Sequence, residues 1–110
     1  MMPSDPRSEY DEVAAELTAT SPAITSKMFG MPCLKNSNGK AFAGYYKGAM
    51  TFKLGAPWHG EALMLQGARL FDPSGMGRPM KEWVEVPSEH SSRWLELTRE
   101  ALRYVDSASK

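Results

Sequence analysis

The chain has 110 residues, 42% hydrophobic and 24% charged, with 13 bases, 13 acids and one cysteine. That supports one hydrophobic core and not two, so a single domain over residues 1–110 is expected, ordered from about residue 5 to 106. Zero net charge gives no whole-molecule pull toward nucleic acid, no apolar run approaches the roughly 20 residues of a membrane span, and a lone cysteine excludes an internal disulfide. The polar, acidic start MMPSDPRSEYDEV is no secretory signal, and a reducing cytoplasm is the expected compartment.

Asp5-Pro6 reads as a helix start, an N-cap acceptor followed by the residue best suited to the first helical position. Tyr10, Val13, Ala14 and Leu17 then form one apolar stripe, and Ser21-Pro22 ends the helix. Ala23 to Lys35 reads as a first strand, kinked or bulged at Gly30 and Pro32. Asn38-Gly39 predicts a two-residue hairpin turn with two positive φ angles, and Lys47-Gly48 a weaker one of the same kind. Between them, Lys40 to Tyr46 is a second strand, with Phe42, Gly44 and Tyr46 on one face and Ala41, Ala43 and Tyr45 on the other. The third, Ala49 to Leu54, buries Met50, Phe52 and Leu54, which leaves Tyr45 as the clearest outward ring.

Gly55-Ala56-Pro57 breaks the strand, and Trp58 to Gln66 reads as a short helix closed by Gly67. Phe71 to Met80 is a loop rich in glycine and proline, Glu82 to Val86 a fourth strand, and Ser88 or Ser91 the cap of a last helix. Trp94, Leu97, Thr98, Ala101, Leu102 and Val105 make the buried stripe of that helix, and Ser107 to Lys110 its frayed end. The order predicts an α+β fold, an antiparallel meander with the N- and C-terminal helices packed on one face.

Candidate chemistry is sparse. Cys33 could act as a nucleophile with His59 or His90 as base, but no helix start follows it, and free cysteines are mostly small buried hydrophobes. The N–H groups of Gly75-Met76-Gly77 with Arg78 could hold an anion, though the Lys-Ser/Thr of a phosphate loop is missing. One cysteine and two distant histidines are too few for a zinc site, so no metal and no cofactor are expected. The segment 21–60 carries five lysines and no acid. Lys27, Lys40 and Lys53 with Tyr45 could bind single-stranded nucleic acid; solvated turns and edges protected by lysine explain the same pattern.

In order, Met28-Phe29-Gly30, Asn38-Gly39-Lys40 with Phe42-Ala43-Gly44, Phe52-Lys53-Leu54, and Gly77-Arg78-Pro79-Met80 with Trp83 and Val86-Pro87 resemble the TfoX N-terminal domain family. The resemblance runs from about the first helix to Val105. It implies a compact α+β domain with a meander between terminal helices, a fold shared with small secretion-chaperone-like proteins. It also implies a regulator of natural competence that works with a transcription activator and carries no catalytic residues. Members of that family have a second, C-terminal domain of helix-hairpin-helix character, for which a chain ending at Lys110 has no room. The resulting expectation is a cytoplasmic, non-enzymatic domain that binds a protein partner, with a homodimer as one form. Tyr45, Thr51, Lys53 and Arg78 are its candidate contact residues. Weak nucleic-acid binding and a small enzyme around Cys33 or the Gly75–Arg78 loop are the alternatives.

Overall fold

A computed structural model describes residues 5–28, 30–72, 75, 77 and 79–108, the side chain of Ala108 excepted. The first helix, α1 (Pro6–Thr20), begins where the cap predicts: the Asp5 carboxylate accepts the Ser8 N–H at 2.8 Å, and Pro6 takes the first turn. It ends before Pro22, with the Ser21 hydroxyl donating to the Leu17 carbonyl at 2.6 Å. Four strands follow, β1 (Ile24–Met28), β2 (Met31–Lys35), β3 (Ala41–Tyr46) and β4 (Ala49–Lys53). Then come α2 (Trp58–Leu63), β5 (Arg69–Phe71), β6 (Met80–Pro87), a 3-10 turn over Ser88–Arg93 and α3 (Trp94–Ala108). All strand pairs are antiparallel, in the order β1-β2-β3-β4-β6-β5.

The α+β architecture is as predicted, with local corrections. The segment 23–35 is a hairpin of two strands, because Gly30, at φ +76°, turns the chain and Met28 comes opposite Met31. Pro32 is tolerated in an inner strand because its partner lies on β1, while the ladder to β3 starts one residue later at Cys33. The two turns exchange roles. Lys47 and Gly48 both have positive φ, 47° and 87°, and make the two-residue turn. At Asn38-Gly39 only Gly39 is left-handed; Asn36 closes a longer loop instead. Its buried side chain accepts N–H groups from Asn38 and Lys40 at 3.0 and 2.9 Å and donates to Asp106 of α3 at 3.0 Å. The short helix stops at Leu63, an unpredicted strand (β5) forms just before the predicted loop and shares only Phe71 with it, and β6 runs two residues further at its start and one at its end. The last helix starts at Trp94, after the 3-10 turn rather than at a serine cap, and Ser107 is still helical.

The largest correction is a β-bulge. Leu34 pairs with Ala43 but Lys35 pairs with Ala41, so Phe42 is an extra residue on β3. Beyond it the alternation slips by one, and a slip of one exchanges the two faces. Phe42 and Ala43 are both buried in the main core, and Tyr45 packs against that core. Tyr46 belongs to a second cluster.

The main core joins Tyr10, Val13, Ala14 and Leu17 of α1 and Trp94, Leu97, Ala101 and Val105 of α3 to one sheet face, with Phe42, Met50, Phe52, Val84 and Val86. The other face carries the smaller cluster of Met31, Phe71 and Trp83, flanked by Met28, Ala41, Tyr46 and Met80. Phe71 on β5 lies 5.1 Å, ring to ring, from Tyr46 on β3. Those strands are three places apart in the sheet, about 14 Å at the usual spacing, so the sheet curls toward this face and the rings lean across it.

Candidate functional site

The residues nominated from the sequence do not share one surface. Tyr45 lies on the helix side, its ring centroid 5.7 Å from that of Tyr10 and 5.7 Å from the Arg7 guanidinium carbon. Thr51 is wholly buried on the opposite face, in register between Gly44 and Glu85, with its hydroxyl 3.5 Å from the Gly44 carbonyl. Lys53 ends β4 with its ammonium 3.9 Å from Glu82. Arg78 lies outside the described residues. The outward reading of Tyr45 fails because the bulge at Phe42 turns it under α1.

The groups suggested for chemistry are engaged elsewhere. Cys33 is fully buried, and burial pushes its thiol up from the ordinary value, with Lys35 opposing, which favours the protonated form over a thiolate nucleophile. His59 Nε2 lies 2.8 Å from the Lys81 carbonyl and His90 Nε2 2.8 Å from the Gln66 carbonyl, so both rings pin neighbouring segments. The Gly75 and Gly77 N–H groups donate to the two Asp72 carboxylate oxygens at 3.1 and 3.0 Å. The anion suited to that glycine cradle is supplied by the chain itself. Among the described residues no three of His, Cys, Asp and Glu gather as metal ligands. The sheet aromatics are also occupied: Tyr46 stacks edge-on against Phe71, with the Lys47 ammonium 5.2 Å from its centroid.

The polar cluster that the fold does assemble lies where β4, β6 and α3 meet. Tyr104 on α3 donates its hydroxyl to Glu82 of β6, which also faces Lys53. That bond favours the neutral phenol, and with a smaller contribution from burial it raises the Tyr104 pKa. Gly55 makes the arrangement possible, since a Cβ there would stand 2.5 Å from the Tyr104 ring. Beside the ring is an open groove of about 250 Å³ between the turn Gly55–Trp58 and the last turns of α3. Trp58 and Tyr104 supply its aromatic walls; Glu100, paired with Arg103 at 3.1 Å, supplies part of its charged rim. Aromatic rings with polar tips beside mixed charge suit a protein side chain docking from outside, not a substrate excluded from water.

Reasoning from sequence reached Lys53 in this cluster and missed Tyr104, Glu82 and Gly55. One signal was present: Tyr104 falls three residues after Ala101 and seven after Leu97, which puts it at the flank of the buried stripe, where a ring has a dry body and a wet tip. Compared with protein-family models, curated proteins and solved structures, the chain matches none.

Proposed function

We propose that this chain is a non-enzymatic, cytoplasmic protein-interaction domain with a role in transcriptional regulation, in line with its resemblance to the TfoX N-terminal domain family. Its partner docks at the groove beside Tyr104, which Arg103 lines and to which Lys53 is linked through Glu82. One observation carries the reading: Cys33, His59, His90 and the N–H groups of Gly75 and Gly77 are each committed inside the fold, while the aromatic, mixed-charge groove is open. No described helix is long and apolar enough to cross a membrane.

The test is affinity capture read by mass spectrometry, comparing the native chain with a Lys53→Glu, Arg103→Glu variant whose circular dichroism is unchanged. One protein retained by the native chain and lost by the variant is the expected result. Identical capture by both, or retention of nothing, would sink the groove reading. Oligonucleotide binding that weakens steeply with salt would transfer the function to nucleic acid.

A further inference from the structure

We infer that the chain self-associates through β1, two copies joining edge to edge as antiparallel strands about a two-fold axis at Ser26. β1 is the outer strand of the sheet and pairs on one side with β2; on the other side alternate residues present N–H and C=O groups that no described strand receives. An open edge of this kind is a template for another strand.

The two edges of the sheet differ. β5 has three residues and leads into the glycine- and proline-rich segment, and its exposed Arg69 is tied to Glu85 at 3.3 Å. β1 has five residues and exposes Ile24, at 52% of its full surface. Natural edges are usually blunted by shortness, proline or charge, and on β1 the one such device is Lys27.

The sequence Ile24-Thr25-Ser26-Lys27-Met28 is complementary to its own reverse. Centred on Ser26, antiparallel pairing sets Ile24 opposite Met28 of the second copy, Thr25 opposite its Lys27, and Ser26 opposite Ser26. No like charges meet, and both apolar residues find an apolar neighbour. By the period of two, Ile24 and Met28 lie on the face of Met31, so the joint continues the smaller cluster from one copy into the next. Thr25 and Lys27 lie on the other face and border a groove of about 640 Å³ under α1. Lys27 of the second copy comes beside that groove, where Asp11 is already paired with Arg7 at 3.1 Å, so the pairing rests on the strand matches and not on a new ion pair. These matches favour a second copy over a strand of unrelated sequence. Two five-residue strands are a small interface, so the dimer is expected to be weak, with a dissociation constant in roughly the micromolar range or above.

Sedimentation over a concentration series tests this, with exposed Thr25 as the handle. Thr25→Lys places like charges together twice per dimer and is expected to weaken association by about tenfold, whereas Thr25→Glu strengthens it. In a Cys33→Ala background, which removes the thiol opposite Ser26, Ser26→Cys is expected to form a disulfide between copies under mild oxidation, because facing residues of an antiparallel pair are within disulfide reach. Thr25→Cys in that background is not. A mass that stays monomeric throughout, a dimer indifferent to the charge at Thr25, or crosslinking equal at both positions would each overturn the proposal. The Tyr104 groove is not altered by these variants, so partner capture that survives them separates this inference from the proposed function.

Discussion

The two faces of the sheet are buried by different means. On the helix side, α1 and α3 bring ready-made apolar stripes, and Phe52, Val84 and Trp94 are wholly covered. On the other side the sheet covers itself: it curls until Phe71 of the short edge strand reaches Tyr46, and Gly44, Thr51 and Cys33 are sealed beneath. The lesson is that a face without helices need not be a vacant docking platform. Curvature together with a few large side chains can close it.

The strongest test sets one ring from each face against the other. Phe52→Ala is expected to cost about 4 kcal/mol and Phe71→Ala about 3 kcal/mol, since a small cluster at an edge collapses more readily around the lost volume. Urea denaturation reads both. A Phe71→Ala cost below about 1 kcal/mol would mean that the curled face adds little to stability.

Asn36→Ala should remove about 2 kcal/mol, because it deprives the Asn38 and Lys40 N–H groups of their acceptor and releases the corner that ties the β2–β3 loop to Asp106. Hydrogen exchange should then quicken at those two amides first.

Gly44→Ala tests how tightly the curled face is closed. The new methyl would stand 2.5 Å from the Met31 methyl, 3.2 Å from the Pro32 carbonyl and 3.3 Å from the Thr51 hydroxyl. Met31 can swing aside but the Pro32 backbone cannot, so a loss of about 1–2 kcal/mol in the same denaturation experiment is expected. A neutral result would show that the face has slack.

The smallest effect is a pH dependence. Burial raises the pKa of Cys33, and of Tyr10 on the helix side, so both are held neutral in the fold. The unfolded chain ionises them near their ordinary values of 9.0 and 10.0 and thereby gains stability relative to the fold. Stability from these groups is whole below about pH 9 and declines as pH rises through the elevated folded values. Cys33→Ala and Tyr10→Phe should each flatten that alkaline decline in melting curves; no change with either would locate it in other groups.

Much of the helix side was legible because its signals are local. Asp5-Pro6 caps, Pro22 stops, and the stripes of α1 and α3 repeat within one or two turns, so each can be read from residues a few places apart. The candidate site was legible in one residue, Lys53, because Tyr104 meets Glu82 only when α3 is laid against the ends of β4 and β6. Its pairing energy comes from residues 22 apart in the chain, and no short-range pattern encodes it.

From its sequence alone this protein is an α+β domain with capped terminal helices around antiparallel strands, since propensity, capping and period act over a few residues. Tertiary structure decided which face each ring of β3 joins, through a bulge that exists only in the pairing of β2 with β3. It also decided that Thr51 is buried, that β5 forms against β6, and that β1 is left as an open edge. Strand register and sheet curvature are set by partners distant in the chain, and a one-residue shift in that pairing exchanges inside for outside.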